Sequence, residues 1–209
     1  MRKYIRVVGA SLLLVSLQSA LLAQKNFSNL PNVADKIESK IRELMPGWEK
    51  HEIQPGALPP PGSTTQAPGN DKLIIRQWDN FAQRERIIQK ARSQGLEDKR
   101  VDDAQRVRII LARYDSQNEA IEAIRRYGLV KKGTQVHGLE DEAYVYGLSG
   151  DLVFQTGNII VYVSAMVNKN IDPSTGINNL LDAARAGHAA SAPLARGFAQ
   201  HVAAVLRTL

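Results

Sequence analysis

The stretch DEAYVYGLSGDLVFQTGNIIVYVS, residues 141–164, constrains the fold of this chain more than any other segment. Apolar and aromatic residues alternate between clusters of turn residues, which predicts strands at about 142–147, 150–155 and 159–167. The TGN at 156–158 is typical of a tight hairpin turn, because glycine and asparagine tolerate the positive φ that such turns require. Strands joined so closely pair antiparallel, so the sequence predicts a sheet built from hairpins.

Two further strands and several helices surround this region. KLIIRQW at 72–78 and RVRIILARY at 106–114 have strand composition, and helices are predicted at 32–44, about 80–94 and 178–186. In SQNEAIEAIRRYG, Ser116 and Glu119 have the spacing of a capping box at a helix start, and Gly128 is a left-handed helix stop. A final helix carries an apolar stripe that must cover other residues, formed by Leu194, Phe198, Val202, Val205 and Leu209. The prediction is an α+β fold: a largely antiparallel sheet of about five strands, with helices packed mainly on one face.

The N-terminus predicts export. Arg2, Lys3 and Arg6 precede the uncharged run VVGASLLLVSLQSALLA, the pattern of a signal peptide over 1–23 cleaved after Ala23, with Ala20 as the alternative site. An uncleaved anchor is less favoured, because the run is shorter than the roughly 20 residues of a spanning helix. We therefore expect a periplasmic or extracellular protein with no stable membrane anchor after cleavage.

Behind the signal, the chain divides into a 24–53 helical segment, a Pro/Gly-rich linker or loop at 54–70 and a compact α+β domain at 71–209. The chain has no cysteine, so neither disulfides nor an N-terminal lipid on cysteine can form. The signal holds three cations and no acid, so the formal charge falls from +6 to +3 on processing. That balance does not favour nucleic acid as a partner.

Patterns of catalytic or metal chemistry are sparse. The four histidines are not at ligand spacing, no phosphate loop or nucleophile turn occurs, and the sequence predicts no cofactor, metal or catalytic residue. Three neighbouring acids, Glu140, Asp141 and Glu142, could act as general acid and base or hold calcium. The alternative is a solvated turn that leads into a strand.

The run from the strand at 106–114 through GLEDEAY to LVFQTGNIIVYV resembles the extracellular sensor domain of mycobacterial serine/threonine kinases. In that family a glycine, two acids and an alanine precede a hairpin with GN. The resemblance covers residues 106–167 and implies a small envelope α+β binding domain. Such domains are usually held by disulfides, which this chain cannot form, and no site residue is carried over from the family.

Alternation along the strands predicts two different sheet faces. One face of each strand is aliphatic and is expected to meet the helices. The other mixes aromatic residues with arginine, as recognition surfaces do, although tyrosine also favours strands for packing alone. We expect a ligand-binding face away from the main helices, formed by Arg76, Trp78, Arg108, Tyr114, Tyr144, Tyr146 and Tyr162.

These features favour a secreted or periplasmic binding or sensing module without catalysis, which would take an unknown envelope ligand or protein partner. A hydrolase using the acids at 140–142 is the second hypothesis, and a structural or assembly protein of the envelope is the third.

Overall fold

The computed structural model describes residues 25–52, 72–80, 105–140, 142–167 and 176–209, with residues 89, 92, 93 and 95. The predicted signal at 1–23 and linker at 54–70 lie outside these residues, as do Asp141 and most of the predicted 80–94 helix. The helices are α1 (Leu30–Leu44), α2 (Gln117–Lys131) and α3 (Gly176–Thr208). The strands are β1 (Trp48–Glu52), β2 (Leu73–Asn80), β3 (Gln105–Arg113), β4 (Thr134–Gln135), β5 (Glu142–Tyr146), β6 (Asp151–Thr156) and β7 (Ile159–Val167).

The seven strands form one antiparallel sheet in the order β1-β2-β3-β7-β6-β5-β4. The predicted α+β class with an antiparallel sheet is confirmed, but the sheet has seven strands where about five were predicted. The additional strands are the two edges, β1 and β4, whose residues carry no apolar alternation. An edge strand can form without that pattern, because backbone pairing with one neighbour defines it.

Helices lie on both faces of the sheet, which corrects the prediction that they pack mainly on one. Helices α1 and α3 contact each other and share the main core with one face, here the α1/α3 face, which includes Ile109, Phe154 and Val161. Helix α2 packs on β5, β6 and β7 from the opposite side, here the α2 face, which includes Val153 and Ile160. The sheet is therefore the middle of three layers.

Helix α3 is continuous where two helices were predicted, although Pro193 lies inside it. The proline removes one backbone donor, and long helices accommodate that loss when packing holds both sides. The predicted stripe is buried at Phe198, Val202 and Val205, which confirms that this helix belongs to the core. Within the described ranges, no helix has the length and apolarity needed to cross a membrane.

Helix α2 begins as the sequence predicts but ends later. The Ser116 hydroxyl accepts from the Glu119 N–H at 3.2 Å, and the Glu119 carboxylate accepts from the Asp115 N–H at 3.2 Å. The left-handed residue at the end is Lys132, with φ of 52°, not Gly128. Gly128 instead lies inside the helix, where an added Cβ would come within 3.0 Å of the Tyr144 ring. Its small size allows the helix to approach the sheet closely.

Candidate functional site

The strand register separates the seven residues of the predicted binding face. Arg76 and Trp78 pair with Ile109 and Val107, so they lie on the α1/α3 face, and Trp78 is buried beside Phe198 at a ring distance of 6.3 Å. Placing these two residues on the mixed face was wrong. The other five lie on or next to the α2 face: Arg108, Tyr114, Tyr144, Tyr146 and Tyr162.

Helix α2 covers part of this face, so its tyrosines are not all away from the helices as predicted. Tyr146 is buried and makes an edge-on contact with Tyr127 of α2 at 4.9 Å. Tyr144 is half-buried, and its ring lies against Gly128. These two tyrosines mainly pack the interface between helix and sheet. Tyr162 is also half-buried, but it lies on the central strand β7, two strands away from β5.

A row of polar side chains crosses the α2 face beside Tyr162. Gln77 pairs with Arg108, and Arg108 pairs with Ser164. Because Leu152 pairs with Val163, continuing that register by one residue places Asp151 beside Ser164. Paired residues of an antiparallel sheet point to the same side. We call this set, Gln77, Arg108, Ser164 and Asp151, the polar row.

Arg108 of the polar row and its neighbour Arg106 on β3 differ in whether a carboxylate pairs with them. Arg106 donates to both carboxylate oxygens of Asp79, at 2.9 and 3.5 Å, so its charge is balanced. Arg108 donates from Nη2 to the neutral amide oxygen of Gln77 at 3.1 Å, and its Nε is buried without an acceptor. Within the described residues, no carboxylate forms an ion pair with Arg108. Arg108 is half-buried, and no described carboxylate compensates its positive charge.

Asp151 forms the opposite end of the polar row. Its carboxylate accepts a hydrogen bond from the Tyr162 hydroxyl at 2.8 Å. Burial, and then the negative charge of Asp151, raise the pKa of Tyr162 well above its ordinary value, so the hydroxyl stays protonated and donates. Among the described residues, Asp151 has no cationic partner within ion-pair distance. Asp151, Ser164 and Arg108 are all partly exposed, so solvent reaches the row.

Of the three acids that the sequence singled out, the two described ones, Glu140 and Glu142, do not form a joint site. Glu140 pairs with Arg207 of α3 at 3.1 Å, whereas Glu142 accepts from Arg125 of α2 at 2.8 Å and from the Tyr144 hydroxyl at 3.1 Å. These two carboxylates therefore bind helices on opposite faces of the sheet. Both are engaged in ion pairs that stabilise the packing of helices, which gives the hydrolase hypothesis no support.

Sequence reasoning found Arg108 and Tyr162 but missed Asp151 and Ser164. Neither missed residue stands out from its neighbours in sequence, since Asp151 follows a turn and Ser164 lies between a valine and an alanine. The register of the hairpin formed by β6 and β7 could have identified both residues. If residues 157 and 158 form a two-residue turn, then 156 pairs with 159, and counting outwards pairs 151 with 164.

Comparison with family models, with curated proteins and with solved structures finds no match for this chain. The resemblance to kinase sensor domains stays a prediction, and the polar row is the feature of this chain that bears on its function.

Proposed function

We propose that this protein is a non-catalytic binding module that receives an anionic group at Arg108. The observation that carries this proposal is the guanidinium of Arg108, which is half-buried, held by Gln77 and unpaired with any described carboxylate. Burying a charge without a partner is costly, and a bound anion would remove that cost. Arginine is also the residue that best recognises planar carboxylate or phosphate groups with two hydrogen bonds.

The neighbours of Arg108 support binding rather than catalysis. Gln77 is buried and fixes the guanidinium, while Ser164 supplies a hydroxyl that can donate to the same anion. Asp151, the one carboxylate of the polar row, already accepts a hydrogen bond from the Tyr162 hydroxyl. This carboxylate is therefore not set up as a base for the Ser164 hydroxyl, and the row is suited to orienting a ligand.

Arg108→Gln tests the proposal, with butyrate and inorganic phosphate as probes. In the wild-type protein, titration followed by NMR should move the backbone amides of residues 106–108 and 163–165 in a saturable way. Losing a charge-assisted hydrogen bond costs about 1.5–3 kcal/mol, so Arg108→Gln should weaken binding by roughly 10- to 100-fold.

Arg185→Gln is the matched control, because it removes the same charge from an exposed position of α3 on the other side of the sheet. It should bind both probes as the wild type does. Equal affinities in Arg108→Gln and wild type, or shifts spread over the surface without saturation, would contradict the proposal.

We also propose that the module works outside the cytoplasm, in the periplasm or extracellular space. The basic start and uncharged apolar run of residues 1–23 support this proposal. Mass spectrometry of protein purified from its native host should find an N-terminus between residues 20 and 24. Recovery of intact Met1 in the cytoplasm would contradict export.

A further inference from the structure

The polar row carries opposite charges on the two sides of a small residue. Arg108 on β3 and Asp151 on β6 flank Ser164 on the intervening strand β7. Two strand spacings separate their backbones by about 10 Å. The two charged groups form no ion pair with each other: Arg108 donates to the neutral amide of Gln77, and Asp151 accepts from the neutral hydroxyl of Tyr162.

Tyr162 and Met166 lie beside Ser164 along β7. Tyr162 and Met166 point to the same face as Ser164, because side chains two apart in a strand share a side. Because serine is shorter than the arginine, tyrosine and methionine around it, we infer from side-chain length a depression with Ser164 as its floor. Burial raises the pKa of Tyr162, the negative charge of Asp151 raises it further and the positive charge of Arg108 lowers it, so both charges act on this hydroxyl.

We propose that this depression binds zwitterionic ligands of the amino-acid class, with a carboxylate on Arg108 and an ammonium group on Asp151. This inference rests on the anion site proposed above and adds a site for a cationic group at Asp151. A ligand that is only anionic meets the repulsion of Asp151, and a ligand that is only cationic meets that of Arg108. A molecule with one charge of each sign satisfies both ends, while Met166 and Tyr162 contact its carbon chain.

The test compares butyrate with 4-aminobutyrate, which differ by one ammonium group. In the wild-type protein, 4-aminobutyrate should bind about tenfold more tightly than butyrate, as expected for one added charge-assisted hydrogen bond. Asp151→Asn keeps an acceptor for the Tyr162 hydroxyl but removes the charge. The two probes should then bind equally, with the affinity for butyrate unchanged or improved.

Ser164→Val provides a second variant that changes no charge. Valine suits a strand and fills the depression, so both probes should lose most of their affinity while the fold is retained. Thermal unfolding of each variant checks the fold.

The outcomes separate the two proposals. If butyrate binds through Arg108 but the ammonium group adds nothing, the anion site stands and the zwitterion site is wrong. If neither probe binds wild-type protein, both are wrong. If 4-aminobutyrate keeps its advantage in Asp151→Asn, Asp151 is not the ammonium partner and the zwitterion site is overturned.

Discussion

Phe198→Ala is expected to lower the free energy of unfolding by about 3–5 kcal/mol, the usual cost of deleting a fully buried phenylalanine ring. Phe198 has no solvent exposure and lies on α3 against the α1/α3 face. Trp48 of β1 contacts it edge-on at 4.9 Å, and Trp78 of β2 lies at 6.3 Å. One ring thus joins the long helix to two strands, and neighbours as large as tryptophan cannot collapse easily into the cavity.

Urea unfolding followed by circular dichroism measures this loss. The matched control is Leu129→Ala, since Leu129 of α2 is 82% exposed and its truncation opens no cavity. Surface substitutions of that kind usually change stability by less than about 0.5 kcal/mol. If Phe198→Ala proves as stable as the control, then α3 does not hold β1 and β2 in the way its contacts indicate.

Local patterns along the chain predicted a large part of the fold. The capping box of α2, the hairpin of β6 and β7 and the stripe of α3 each rely on residues close in sequence. Such features depend on short-range hydrogen bonding and on the repeat of one element, both of which a single sequence contains.

The face of β2 could not be predicted in this way. Leu73 and Ile75 are buried on one face and Trp78 on the other, so the strand is apolar on both sides. Only its pairing with β3 decides that Trp78 lies opposite Val107. Strands buried on both faces lose the alternation that identifies a core side, and their orientation becomes a tertiary property.

For a similar reason, the sequence could not predict that α2 covers the tyrosines. Its sheet-facing residues include Ala120, Ile124 and Gly128, and nothing in that pattern tells which side of the sheet the helix will cover. The site was accordingly predicted in part. Arg108 and Tyr162 were predicted from their residue types on a mixed strand face. Asp151 and Ser164 belong to the site only because the strand register places them beside Arg108 and Tyr162.

Asn158→Ala is expected to destabilise the protein through hydrogen bonds that no other residue can replace. Asn158 is 2% exposed in the turn between β6 and β7. Its Oδ1 accepts from the Phe27 N–H at 2.8 Å, and its Nδ2 donates to the Tyr114 carbonyl and to Asn26 Oδ1, both at 2.9 Å. One amide therefore ties the start of the described chain to the ends of two strands.

Alanine would leave the Phe27 N–H and the Tyr114 carbonyl without this partner. A buried group left unsatisfied costs about 1–3 kcal/mol, and the bond to Tyr114 is only partly buried and costs less, so the expected loss is roughly 2–5 kcal/mol. The effect should extend along the N-terminal segment, because Phe27 and Leu30 are buried in the main core immediately after this contact. Hydrogen exchange at the Phe27 amide should become much faster than exchange in β7.

Two further variants test whether the hydrogen bonds of Asn158, rather than the replacement of any asparagine, account for the loss of stability. Asn118→Ala makes the same change at an exposed position of α2 and should leave stability almost unaltered. Asn158→Asp keeps the acceptor for the Phe27 N–H but turns a carboxylate oxygen toward two other acceptors, the Tyr114 carbonyl and Asn26 Oδ1, so at neutral pH it should be at least as unstable as the alanine variant. If the Phe27 amide stays protected in the alanine variant, the turn contributes through its backbone shape, and the amide hydrogen bonds are not what holds the N-terminal segment in place.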